Sequence, residues 1–198
     1  MRRISQQEIY GKAKVGTVAG LVGGFALFVT FFGIDSQLDA APGTFYMMVG
    51  LAVGLHDMPA IAFGFIAHML TAATIGALFC VCSTLHRVLY ITSVWKGIFA
   101  GGVTGLEVYV IFFMPITLFI MIPTIDATLI DGSQTVVAAH ERVAASVLRA
   151  NLELIMWGSL VLHVLYGSIM GLFSGMVLYE DYKPAKKAAL KESESMPS

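Results

Sequence analysis

Hydrophobic positions fall in four long runs separated by short polar breaks. The first, Val15 to Ile34, has 20 residues, enough as a helix to cross roughly 30 Å of hydrocarbon. The others run from Met58 to Cys82, from Gly97 to Ile122 and from Leu152 to Tyr179. Each is bounded by charged or turn-forming residues. A shorter apolar stretch, Thr44 to Leu55, cannot span as a helix. It follows Ala41-Pro42-Gly43 and precedes His56-Asp57-Met58-Pro59. Asp57 reads as an N-cap with Pro59 in the first turn. Residues 44–55 are therefore expected to form an interfacial or re-entrant helix, with 58–82 a fresh span. Residues 135–149 are amphipathic and helical in pattern. The first run exceeds the apolar core of a cleaved signal peptide, about 7–15 residues, and reads as helix one.

Composition agrees with this pattern. The chain is 57% hydrophobic and 13% charged, with mean hydropathy +0.80; soluble domains carry about 25% charged residues. No soluble core of 198 residues hides so much apolar surface. The charges are segregated. Arg2, Arg3, Lys12 and Lys14 precede the first run, Arg87 and Lys96 lie between the second and third, and Lys183, Lys186, Lys187 and Lys191 follow the fourth. With four spans, ten of the twelve basic residues share one side, and only Arg142 and Arg149 lie opposite. The positive-inside rule makes the shared side, with both termini, cytoplasmic. A fifth span at 44–55 breaks that segregation. The polar tail 183–198 is expected to be disordered.

The runs also repeat. Residues 16–32 align without gaps to 97–113 with eight identities in seventeen positions. Ile66 to Gly76 matches Val161 to Gly171 more weakly, keeping a histidine (His68, His163), a leucine and a glycine. The expectation is an all-α integral membrane four-helix bundle. It is built from two tandem two-helix repeats, 15–90 and 95–180, with an N-terminal segment 1–14 and short interfacial helices on the outer side. Each repeat holds two spans, so both insert the same way up. Glycines recur every fourth residue: Gly16, Gly20 and Gly24; Gly97, Gly101 and Gly105; Gly167, Gly171 and Gly175. Such stripes let helix backbones approach closely, which lipid otherwise does not drive.

Few residues in the runs carry chemistry. His68 and His163 continue the small-residue stripes and so face protein; each is either an interhelical hydrogen-bond donor or half of a paired polar site. Glu107 is the one acid well inside a span, near its middle, where its repeat counterpart is Ala26. An intramembrane carboxylate costs several kcal/mol unless neutralised or paired. It is either a protonated bond to a neighbouring helix or subunit, or a proton-coupling residue. On the outer side stand His56, Asp57, His140 and Glu141, with Met47, Met48, Met58, Met114 and Met121 toward the same side. His-Glu-Arg-Val-Ala lacks the second histidine of a zinc-protease helix, and methionines ordinarily fill irregular packing. Cys80 and Cys82 read as small buried hydrophobes, not as a disulfide or soft-metal site. No phosphate loop, dinucleotide fingerprint or nucleophile elbow occurs. No metal, cofactor, catalytic residue or nucleic-acid partner is expected.

Trp95-Lys-Gly-Ile-Phe-Ala-Gly101, Phe113-Met-Pro115 and His163-Val-Leu-Tyr-Gly167 with Gly171 and Gly175 resemble the small polytopic membrane proteins of the YagU-like type. That resemblance implies a multi-pass bacterial membrane protein associated with acid tolerance, without an assigned mechanism or site residues. The leading functional expectation is a non-enzymatic structural or accessory bundle in the cell membrane, a homo-oligomer or a subunit of a larger assembly. The rivals are a small oligomeric transporter or proton-linked permeation protein using Glu107, His68 and His163, and a metal-binding membrane enzyme subunit.

Overall fold

The computed structural model describes residues 5–85, 87–131 and 135–194. Arg2, Arg3 and the last four residues lie outside them. Among the described residues the regular structure is helical, with no strand: α1 (Gln6–Gln37), α2 (Thr44–Leu51), α3 (Asp57–Cys82), α4 (Val94–Ile130), α5 (Val136–Ala150) and α6 (Leu152–Glu194). Four of them, α1, α3, α4 and the Leu152–Tyr179 part of α6, are long and apolar enough to cross a membrane. In hydrocarbon every backbone N–H and C=O must be satisfied within the segment, which is why such runs are helices. α2 has eight residues, roughly 12 Å of axis, and is too short to cross.

Several ends differ from the sequence reading. α6 continues across Lys183 to Glu194, a stretch expected to be disordered. Ala-Lys-Lys-Ala-Ala-Leu-Lys-Glu is made of strong helix formers, and a helix already propagating lengthens without a new nucleus. Asp57 is the first residue of α3, with φ 53°, so it is not an extended N-cap. Its N–H is taken by the Glu141 side chain. Thr135 does cap its helix, accepting from the Ala138 N–H at 3.1 Å.

α4 contains two π-helical turns, Tyr109–Phe113 and Thr117–Met121. Each stands immediately before a short segment carrying a proline, Pro115 or Pro123. A proline cannot donate to the carbonyl four residues back and its ring collides with it. Those carbonyls belong to Ile111 and Phe119, inside the two π turns. The wider turns give them room while keeping the backbone hydrogen-bonded.

The chain divides into two compact units. The first comprises Met1–Gly23, Ala72–Gly105 and Val164–Ser198. Here helix backbones touch at small residues. A Cβ added to Gly16 would collide with the Gly76 carbonyl oxygen, and one on Gly20 with that of Ala72. The same happens between Gly97 and Gly171 and between Gly101 and Gly167. Cys80, Ile91 and Leu178 form a fully buried cluster beside them, and the Tyr166 hydroxyl donates to the Ala72 carbonyl at 2.9 Å.

The second unit comprises Gly24–Thr71 and Leu106–His163. Its core joins Met47 and Met48 of α2, Ala60 of α3, Met121 and Ile125 of α4, and Ala144, Ala145 and Leu148 of α5. α2 is thus buried in protein. Its Gly50 leaves no space for a side chain against Ala60, nor does Gly64 of α3 against the Tyr46 carbonyl. Arg142 donates to the Asp131 carbonyl at 2.7 Å and Arg149 to Asp126 at 3.0 Å. The two basic residues that depart from the charge segregation both bind α4 or the residue that ends it.

Gly101→Leu or Gly16→Leu should therefore collapse the folded fraction, since overpacking alone costs about 1–3 kcal/mol and here the obstacle is backbone. Gly11→Ala, where an added Cβ meets nothing, should be neutral or stabilising by about 0.5–1 kcal/mol. Unfolding of the purified proteins in mixed micelles, followed by circular dichroism, reads the difference.

Candidate functional site

The chemistry-bearing side chains gather in the second unit. His68 on α3 donates from Nε2 to the Gly24 carbonyl of α1 at 3.1 Å, its ring 5.6 Å from that of Tyr46. His163 on α6 donates from Nδ1 to the Ser159 carbonyl one turn back at 2.7 Å. Its ring lies 5.0 Å from Phe113 and 5.7 Å from Tyr109. Because carbonyls only accept, the bonded nitrogen carries the proton in each case. The repeat pattern puts the two histidines in equivalent places. Their bonds differ: one ties two helices, the other closes on its own helix.

Tyr109 donates to the Met156 carbonyl at 3.0 Å, tying α4 to α6. Around it runs a chain of rings. Phe31 and Phe45 stack at 4.6 Å, and Phe45 reaches Phe113 at 6.3 Å. Tyr46 lies among Phe28, Phe31, Phe65 and His68. Burial, aided by the Asp35 carboxylate, pushes the Tyr46 phenol well above its usual range. It is a neutral hydroxyl at any physiological pH, and it is buried with no hydrogen-bond partner among the described residues.

Glu107 belongs to the same unit but lies on an exposed face of α4. It follows Val94 by 13 residues, roughly 20 Å along the helix axis, and it is exposed. No hydrogen bond or ion pair reaches it from the described residues. The same helix face carries Phe99, Val103, Val110 and Ile111, all exposed. The structure therefore does not bring Glu107 together with His68 and His163.

On the side of the α2–α3 connection, Glu141 of α5 is 4% exposed. Its carboxylate accepts from His56 Nδ1 at 3.1 and 3.2 Å and from the Asp57 N–H at 3.2 Å. His140, its neighbour in sequence, is exposed. Among the described residues no three His, Cys, Asp or Glu side chains converge as metal ligands do. The cysteine expectation needs correcting. Cys80 is buried and donates to Ser174 at 3.2 Å, but Cys82 is exposed. At about 100° per residue, positions two apart fall on opposite faces of a helix.

Two features escaped the sequence reading. Asp35 looked like the polar boundary of the first run, yet it is 4% exposed, and its Oδ2 accepts from the Gly43 N–H at 2.8 Å. It lines a cleft of about 180 Å³ between the C-terminal end of α1, α2, α5 and the start of α6. A buried acid directly after an apolar run, followed by a turn with Pro42 and Gly43, was the available signal.

The comparisons add no relative. No protein-family model matches the chain, and no curated protein or solved structure matches it.

Glu141→Ala should remove the shared acceptor of the Asp57 N–H and the His56 ring; both donors are exposed, so water replaces it and the loss is the net worth of a hydrogen bond, about 0.5–1.5 kcal/mol. Glu141→Gln, which keeps an acceptor for both, should lose less. Thermal unfolding of the two variants in one detergent makes the comparison.

Proposed function

We propose that this chain is a non-enzymatic multi-pass membrane protein, a structural bundle whose copies associate through the α4 face that carries Glu107. The observation that carries the reading is the exposure of that carboxyl in the middle of an apolar helix. On insertion scales an acid at a helix centre costs about 2.5–3.5 kcal/mol. A partner helix removes that cost. The four apolar runs contain no Lys or Arg, so a second copy offers no cation. It offers an identical carboxyl, and a neutral acid both donates and accepts. Near a two-fold axis each residue meets its own copy, so two protonated Glu107 side chains complement one another.

Other features support the bundle. Ten of twelve basic residues fall in the residue ranges of the first unit, which also holds both chain ends, in keeping with cytoplasmic termini. Gly16 with Gly76 and Gly20 with Ala72 are matched, at equivalent repeat positions, by Gly97 with Gly171 and Gly101 with Gly167. Identical contacts in both halves favour a tandem duplication glued by small residues. α2 and α5 serve as the short outer helices of this arrangement. The resemblance to YagU-like proteins points the same way, to a polytopic membrane protein without an assigned mechanism. A proton pathway through one chain is disfavoured, because Glu107 stands apart from both histidines.

Counting photobleaching steps of labelled protein in lipid bilayers tests the association. Wild type should give two or more steps per spot. Glu107→Gln should keep them, since an amide also donates and accepts, and Glu107→Leu should shift the population to single steps. A monomeric wild type, or a Glu107→Leu variant that associates as wild type does, overturns the proposal.

A further inference from the structure

The cleft beside Asp35 has the makings of a ligand site. Its walls are apolar: Phe31, Phe45, Leu148, Ile155 and Leu162 supply most of the surface. Its volume, about 180 Å³, slightly exceeds that of an engineered apolar cavity of about 150 Å³ that stays dry and takes up benzene. One wall carries Asp35, and among the described residues no Lys, Arg or His lines the space. Asp35 is held in place by the Gly43 backbone N–H, which donates to its Oδ2 at 2.8 Å. A carboxylate has about four acceptor sites, so this bond leaves capacity for a further donor. An acid in an apolar cleft without a basic neighbour calls for a donor from outside the chain, and a cationic one gains most.

We infer that this cleft binds a small amphipathic amine, an apolar body of about the size of an aromatic ring bearing an ammonium group. The ring fills the space between Phe31, Phe45 and Leu162, and the ammonium donates to Asp35. Ser159 links the cleft to the histidine chemistry. It lines the wall, and its carbonyl is the one that holds the His163 ring. The inference stands independently of the Glu107 association, since that face and this cleft share no residue.

Gly158 makes a clean test possible. It lines the cleft, and a Cβ built on it meets nothing within 4 Å. Gly158→Leu therefore adds bulk there from an open Cβ position, unlike the glycines of the first unit whose Cβ would meet a neighbouring helix backbone. The probes are 2-phenylethylamine and 2-phenylethanol, which share a ring and differ in the head group. Saturation-transfer NMR on the full chain in lipid nanodiscs titrates each, with empty nanodiscs as the blank.

The wild type should bind the amine about tenfold more tightly than the alcohol, as an added charge-assisted hydrogen bond of roughly 1.4 kcal/mol requires. Asp35→Asn, which still accepts from the Gly43 N–H, should bring the amine to the level of the alcohol. Gly158→Leu should abolish binding of both while its unfolding temperature stays within a few degrees of wild type. No saturable binding by the wild type overturns the inference. So does equal affinity for the two probes, or undiminished binding by a folded Gly158→Leu.

Discussion

Lipid gives an apolar helix no reason to prefer a neighbouring helix over a hydrocarbon tail. Association must come from close packing and from hydrogen bonds across helices. In the first unit that constraint is met by bare backbone. Gly16 and Gly76, and likewise Gly101 and Gly167, meet with no room for a methyl group between them. Around those contacts only a few polar bonds are needed, such as Tyr166 to the Ala72 carbonyl and Cys80 to Ser174. The short distance between backbones sets where everything else on these helices can point.

The second unit solves the same problem with side chains. Its core holds methionines and alanines, and a connected set of rings runs from Phe25 through Tyr46 and Phe45 to Phe113. Larger side chains fill space less uniformly than glycines, which is how a cleft arises beside Phe31 and Leu162. The two π turns of α4 belong to this unit. They shift the register of the helix, so faces predicted from a strict 3.6-residue period no longer hold beyond Val108. Polar groups concentrate here too: His68, His163, the His56–Glu141 pair and Asp35.

Glu107 stands at the last regular turn before the first π turn. Its counterpart in the repeat, Ala26, needs no partner. The glycine contacts recur at positions aligned between residues 16–32 and 97–113, and the carboxyl of Glu107 does not.

Much of this was legible in the order of residues. Apolar length and the segregation of Lys and Arg suffice for four candidate spans, because hydrocarbon tolerates only internally bonded backbone. Glycine spacing pointed to the faces where backbones meet, since a helix repeats its face about every fourth residue. The site was far less legible. Glu141 finds His56 across 85 positions, and Asp35 reaches Gly43 through a turn whose course no periodicity encodes. The exposure of Glu107, the opposite faces taken by Cys80 and Cys82, and the cleft by Gly158 also depend on which helices are neighbours. Secondary structure in a membrane is a local demand of each backbone and is written locally. Which side chains converge is decided only when separate helices choose one another, and so belongs to the tertiary structure alone.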